Sequence, residues 1–321
     1  TAYGRMLERL AADERDPLRW PALPTDVFRF SRVAAHPETE DMKVFRTSGT
    51  TDSRRGSHHL RDLSLYDRAA QAAARFALFP DEERMQLVVL AHSAAEQPDS
   101  SLSYMLGRFA EWFGRGPSVH VITGSALDPE LLARTLVAAE RSQSKLALLG
   151  TSFAFVHAEE ALGGRRFTLP AGSRIMQTGG LKGRVRSVQP EAMLSSLSAR
   201  YGVNERLIIQ EYGMTELCSQ LYESSLRETV LGLPSGPRRL RCPGWVRVSA
   251  VDAETLAPVA QGAEGLLRVD DLANLQGGVC AIQTSDRARV VGDGVELLGR
   301  AEGATPRGCS RAIDLALGGE A

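Results

Sequence analysis

The sequence is short of lysine. Only Lys43, Lys145 and Lys182 occur among 38 basic residues, so a step that requires an ammonium group has few candidates. Arginine serves equally well on most solvated surfaces. Cysteine is also scarce: Cys218, Cys242, Cys280 and Cys309 stand far apart. No pair has metal-ligand spacing, and four in 321 residues do not make a disulfide framework. A reducing cytoplasm is the compartment this usage suits. No apolar run approaches the roughly 20 residues that span a bilayer, so no membrane partner is expected. No long basic run occurs and the formal net charge is −1, which disfavours a nucleic-acid surface. No signal peptide is visible. The chain begins at Thr1 instead of Met, so a leader preceding it stays open.

What the chain has is apolar residues, 43% of 321, enough for one large domain or two unequal ones. Residues 62–79 set Tyr66, Ala69, Ala70, Ala73, Phe76 and Ala77 at helical spacing, and Leu102, Met105, Leu106, Phe109 and Phe113 mark a second helix face. Helices are also predicted over 129–141, 153–162 and 190–201, the last with proline at its start. Strands are predicted at 85–91, 118–122, 145–149, 174–177 and 206–210. Strands alternating with helices argue for a mostly parallel sheet covered on both faces.

The texture then changes. Pro234, Gly236, Pro237, Pro243 and Gly244 crowd one stretch, and short strand-like runs follow at 245–251, 265–269, 279–284, 288–291 and 295–298. The expectation is an α/β unit over 1–225 and a β-rich subdomain with the C-terminal tail over 226–321.

Four motifs carry chemistry. Thr47-Ser48-Gly49-Thr50-Thr51, followed by Arg54 and Arg55, offers small side chains, exposed N–H groups and hydroxyls, which is what a phosphate-binding loop needs. Gln210-Glu211-Tyr212-Gly213-Met214-Thr215-Glu216 follows an apolar strand. Ligands of open α/β sheets sit beyond the carboxyl ends of strands; there Tyr212 offers a flat face to a base and Glu216 a carboxylate to magnesium. Gln177-Thr178-Gly179-Gly180-Leu181-Lys182 also follows a strand, and paired glycines let a flat ligand approach the backbone. Thr284-Ser285-Asp286 and Leu298-Gly299-Arg300 supply a carboxylate for ribose hydroxyls and an arginine beside it.

In this order the motifs resemble the adenylate-forming superfamily of acyl-CoA synthetases, peptide-synthetase adenylation domains and firefly luciferase, over roughly residues 40–310. TSGTT, QTGGLKGR, YGMTELCSQLY, DLANL, QTSDRARVVGDGVELLGRAEG and RGCS are similar to the acyl-protein synthetase (LuxE-like) branch. That branch feeds acyl groups to a fatty-acid reductase, and its short relatives activate aromatic acids in antibiotic pathways such as phenazine biosynthesis. The resemblance implies a large domain of stacked, helix-covered sheets with a small β-rich subdomain. It implies ATP and Mg²⁺ as cofactors, and a fatty or aromatic carboxylic acid as substrate. An acyl acceptor or reductase would be the partner.

Ser48, Gly49, Thr50 and Thr51 would hold phosphates. Gly179, Gly180, Tyr212 and Gly213 would frame the base, Asp286 and Arg300 the ribose. Thr215 and Glu216 would act at the reacting centre, with Glu216 on the metal. Lys182 would approach the phosphates or the acid. Phe153 and Tyr104 are candidates for the acid pocket, with Phe109, Trp112 and His157 behind them. His58 and His59 are candidates to touch phosphates. Cys309, in a basic and glycine-bearing tail, falls where the family carries its acyl group.

Two departures stand out. The loop lacks the lysine of larger superfamily members, leaving Arg54 or Arg55 to take its charge. Only 21 residues follow Arg300, too few for the mobile lid that carries a further lysine in those members. Three readings follow: adenylation with transfer through Cys309; adenylation of an aromatic acid with direct transfer to an amine, carrier protein or CoA; or a non-catalytic nucleotide-binding partner subunit.

Overall fold

The computed structural model describes residues 20–48, 55–179, 190–275 and 278–301. In chain order the elements are β1 (Leu23–Pro24), α1 (Val27–Phe30), β2 (Lys43–Arg46), β3 (Ser57–Leu60), α2 (Ser64–Ala77), β4 (Gln86–Leu90), α3 (Ser101–Phe113) and β5 (Val119–His120). Then come β6 (Ile122–Thr123), β7 (Ala126–Leu127), α4 (Pro129–Ser142), β8 (Leu146–Thr151), α5 (Ser152–Leu162), β9 (Arg174–Thr178), α6 (Pro190–Tyr201), β10 (Ile208–Tyr212) and β11 (Leu221–Glu223). The remainder is α7 (Ser225–Val230), β12 (Leu240–Arg241), β13 (Val246–Val251), β14 (Glu264–Asp271), β15 (Ala281–Val291) and β16 (Gly294–Arg300).

The helix starts have local causes. The Asp128 carboxylate accepts from Leu131 N–H at 2.8 Å, with Pro129 at the first position of α4. The Thr151 hydroxyl accepts from Ala154 N–H at 3.1 Å and starts α5 directly from the end of β8. The Leu102, Met105, Leu106, Phe109 and Phe113 face of α3 is buried, as its spacing predicts.

Strands β5, β4, β8, β9 and β10 run parallel in that order. β11 turns antiparallel to β10, and the ladder continues through β12, β16, β15 and β14 to β13, all antiparallel. β1 adds parallel to β15, which makes a sheet of twelve strands among the described residues. The α/β class expected from the sequence is therefore found. The parallel half and the β-rich half are joined strand to strand, so their relative placement is set by main-chain hydrogen bonds.

Two strand readings change. Residues 279–284 and 288–291 are one strand, β15, because β14 and β16 supply ladder partners along both edges. The polar Ser285-Asp286-Arg287 stretch that interrupts the apolar pattern coincides with register shifts, not with a break. Residues 118–122 split: β5 pairs with β4, while β6 forms a hairpin with β7.

One core packs the parallel sheet against its helices, with Val88, Val89, Leu148, Ile175, Ile208 and Leu106 fully buried. A second lies under the antiparallel half around Leu221, Leu267, Val269, Ile282 and Val295. The first core tolerates no added atom where β4 meets β8. A Cβ on Gly150 would stand 2.7 Å from Leu90 Cβ and 3.0 Å from the Leu90 carbonyl oxygen. Gly150→Ala is therefore expected to lower unfolding free energy by about 1–3 kcal/mol through overpacking. An unchanged urea midpoint would show that the two strands separate freely.

Candidate nucleotide and acid site

The loop between β2 and β3 is closed at its base. Thr47 N–H donates to the Gly56 carbonyl at 2.9 Å, and Gly56 N–H to the Thr47 hydroxyl at 2.8 Å. Arg55 clasps this base: Nε donates to the Thr47 carbonyl at 2.6 Å and Nη1 to Asp99 at 2.7 Å. This corrects one expectation. Arg55 cannot act as a free substitute for the missing lysine, because Asp99 balances its charge and the loop base consumes its donors. Ser48 stands partly buried at the loop's edge. Gly49, Thr50, Thr51 and Arg54 lie outside the described residues, as do Gly180, Lys182 and Cys309.

The histidines after the loop do something other than touch phosphates. His58 is fully buried. Its Nδ1 donates to the Thr215 carbonyl at 2.7 Å, and its ring meets Phe28 edge-on at 5.8 Å. Burial pushes the imidazole down to about 4, so at neutral pH it is an uncharged strut between β3 and the turn after β10. His59 lies 2.8 Å from Asp41, whose carboxylate also takes both Nη groups of Arg32 at 2.7 Å.

At the carboxyl end of β10, adjacent residues separate to opposite faces. Tyr212 is 8% exposed. Its ring, expected to lie against a base, packs in the second core, and its hydroxyl donates to Asp286 at 2.8 Å. Arg300 Nε donates to the other oxygen of Asp286 at 3.2 Å, and Asp286 and Arg300 are register partners of β15 and β16. Thr215 and Glu216 are both buried. Desolvation pushes the Glu216 carboxyl up to about 7, with Arg300 pulling it down and Asp286 pushing it up. The structure therefore brings Tyr212 and Glu216 together with Asp286 and Arg300, from motifs 70 to 88 residues apart.

Gly179 takes a left-handed conformation (φ 78°), and its carbonyl accepts from the Ser152 hydroxyl at 2.9 Å. Phe153 is buried in the first turn of α5, edge-on to His157 at 4.2 Å. Tyr104 belongs to a different ring cluster, 5.4 Å from Phe45 and 5.6 Å from Tyr66, with its hydroxyl donating to Asp67 at 2.9 Å. Phe109 is fully buried against Phe79, Phe113 and Trp112, so the core consumes it instead of a pocket.

Sequence reading missed three groups. Glu211, 2% exposed, is a carboxyl inside a buried strand; an acid in the run RLIIQEY was the available signal. Asp271 and Asn274, both fully buried, hold the turn after β10. Asp271 accepts from Cys218 N–H at 2.9 Å and from the Ser219 hydroxyl at 2.7 Å, while Asn274 donates to the Glu216 carbonyl at 2.9 Å.

Among the described residues no three His, Cys, Asp or Glu side chains gather as a metal cluster. The donor set nevertheless fits magnesium arriving with a polyphosphate. One buried, poorly compensated carboxylate can take a cation whose shell is otherwise phosphate and water. No helix among the described residues is long and apolar enough to cross a membrane.

A family model described as acyl-protein synthetase, LuxE, matches residues 15–318. No curated protein matches the sequence. Among solved structures, an open conformation of 2-hydroxyisobutyryl-CoA ligase with 2-HIB-AMP and CoA is similar, with a TM-score of 0.67 at 15% identity, covering 100% of this chain and 77% of that one. ATP-bound MatB from Rhodopseudomonas palustris gives 0.53 at 16% identity over 80% of this chain and 47% of that one. The amide bond synthetase McbA from Marinactinospora thermotolerans gives 0.53 at 16% identity over 83% and 51%. The chain thus spans about half the length of MatB and McbA. At such identities these likenesses show the fold, that of the adenylate-forming ligases.

Glu216 sets a pH dependence of stability. Its folded value of about 7 lies above the ordinary 4.5. Folding is therefore favoured while the carboxyl keeps its proton, and stability falls as pH rises from about 4.5 to 7. His58 acts the other way between about 4 and 6.5, equally in wild type and variant. Glu216→Gln should gain stability relative to wild type by roughly 3 kcal/mol between pH 4.5 and 8. Urea unfolding across pH measures this; a constant difference would mean that Glu216 ionises normally.

Proposed function

Because the chain belongs to the acyl-protein synthetase family LuxE, we propose that it activates a carboxylic acid with ATP, forming an acyl-adenylate and releasing pyrophosphate. The observation that carries this is the Tyr212–Asp286–Arg300 array beside buried Glu216. An ionised carboxylate has about four acceptor sites, so Tyr212 and Arg300 leave Asp286 room for two ribose hydroxyls. Tyr212 fixes the carboxylate's orientation, and Arg300 holds its charge in a partly buried place.

Magnesium, when bound with the nucleotide, supplies charge neutralisation; Glu216 would hold it through one oxygen. The acid's carboxylate attacks the α-phosphate and pyrophosphate leaves in line. Positioning and preorganised charge carry such a step. Ser48, Gly49, Thr50 and Thr51 hold phosphates, Gly179 and Gly180 allow close approach, Gly213 gives its side-chain space to Glu211 and Gln220, and Thr215 lies beside Glu216. Lys182 approaches the reacting charges, and Phe153 and Tyr104 bound the acid. The division is an α/β unit over 1–225 with a β-rich part over 226–321.

Transfer through Cys309 would give a thioester: the thiolate attacks the adenylate carbonyl, the acyl–sulfur bond forms, and AMP leaves with its oxygen. Direct transfer to an amine or to CoA is the second reading, favoured by the fold shared with an amide bond synthetase and a CoA ligase.

ATP–pyrophosphate exchange over fatty and aromatic acids tests the activation. Exchange with at least one acid is expected, and none with any acid would leave a non-catalytic nucleotide-binding subunit. Asp286→Ala should weaken ATP binding by roughly 1.5–3 kcal/mol, about ten- to a hundredfold; unchanged affinity in calorimetry refutes the ribose assignment. For transfer, ATP, magnesium and the active acid should add one acyl mass that hydroxylamine removes. Cys309→Ser should lose the adduct and keep exchange. A wild type that exchanges without ever labelling would favour direct transfer.

A further inference from the structure

Glu211 is the penultimate residue of β10, on the face opposite Tyr212. Register sets Thr178 beside it on β9 and Tyr222 beside it on β11. The Thr178 hydroxyl donates to its carboxylate. The point where a Cβ of Gly213 would stand is 2.5 Å from Glu211 Oε1 and 3.6 Å from Gln220 Cγ. Glu211 and Gln220 therefore share the space that the absent side chain of Gly213 leaves. Gln220 and Tyr222 are 4% and 3% exposed, yet Gln220 Oε1 and the Tyr222 hydroxyl have no hydrogen-bond partner among the described residues.

Unpaired buried polar atoms are costly and uncommon in native proteins. Here they cluster around a buried carboxyl, one residue from Tyr212 on one strand and one residue from Gly179 on the next. The ring cluster of Phe45, Tyr66 and Tyr104 belongs to the same side of the sheet, since Tyr222 packs with it in the first core while Tyr212 packs in the second. The nucleotide groups Asp286 and Arg300 belong with Tyr212, on the other face. The free atoms define the missing partner. An amide oxygen accepts only, while a phenol and a carboxyl can do either, so a partner that meets the Gln220 oxygen must donate.

We infer that Glu211, Gln220 and Tyr222 recognise a hydroxyl or amino group on the body of the acid, so that the substrate is a donor-substituted carboxylic acid and not a plain alkyl or unsubstituted aryl one. This rests on the acid-activating reading above. Burial pushes the Glu211 carboxyl up to about 7, and the Thr178 hydroxyl pulls it the other way. A site built to hydrogen-bond a substrate group rejects the analogue without it, because its own buried groups are then left unpaired.

The test uses the full chain and pyrophosphate exchange with benzoate against the hydroxy- and aminobenzoates, and alkanoates against hydroxyalkanoates of equal length. At least one donor-bearing acid should exceed its parent by about tenfold or more in kcat/KM. That ratio should fall towards one in Tyr222→Phe and in Gln220→Met. Parent acids that match or exceed every substituted acid overturn the inference, as does a ratio that neither variant moves. The same acids are added in thermal unfolding. If no acid supports exchange, a donor-bearing acid that raises Tm in wild type but not in Tyr222→Phe upholds the recognition set while the acid-activating reading falls. Equal shifts with donor-bearing and parent acids overturn the recognition set itself.

Discussion

Asp271 is fully buried at the end of β14, and the turn after β10 depends on what it grips. Its carboxylate accepts from Cys218 N–H, the Ser219 hydroxyl and Ala273 N–H. Ser219 in turn accepts from the Trp245 indole at 2.9 Å. Three residues on, Asn274 donates to the Glu216 carbonyl, and from the opposite side His58 donates to the Thr215 carbonyl. The turn after β10 is thus held through its backbone by two other parts of the chain. The Glu216 side chain takes no part in these bonds. Desolvation raises the Asp271 carboxyl, and the donors around it pull the other way. A buried carboxylate with several N–H and O–H partners is expensive to disrupt, because removing it strands every donor at once.

The same physics distributes charge across the site. His58 is kept neutral by burial and works as a strut. Arg55 is spent on Asp99 and the loop base. Arg300 is shared with Asp286. Glu216 and Glu211 have the weakest compensation, and both are pushed up to about 7 by desolvation. Glu211 lies on β10 and Glu216 in the turn after it, so one end of the sheet holds two desolvated acids. A low-dielectric edge of this kind strengthens whatever charge or dipole arrives there.

Much of the architecture was legible along the chain. The helix over Pro190–Tyr201 and the strand Arg174–Thr178 follow from spacing and from proline and glycine punctuation. The motif residues Tyr212, Glu216, Asp286 and Arg300 were legible as chemistry, and the fold makes them neighbours. What the pattern hid were groups whose role depends on a distant partner. Glu211 read as a residue of a motif, but Gly213, Gln220 and Tyr222 decide what surrounds its carboxyl. Asp271 and Asn274 stood in a segment, DLANL, that has no chemistry of its own until Cys218, Ser219 and Glu216 are placed beside it. Phe109 and Trp112 read as pocket rings because an aromatic side chain suits a core and a pocket equally.

By itself the sequence determined the alternation of strands and helices, the glycine-bearing strand ends and the kinds of group available there, since periodicity, capping and turn chemistry are local. Only the tertiary structure decided which face each strand-end residue takes, that Arg55 is neutralised, that the Tyr212 ring is core while its hydroxyl bonds Asp286, and that Glu211 and Glu216 are desolvated. Those outcomes rest on register between strands far apart in the chain, and on burial, which no residue carries in its own identity.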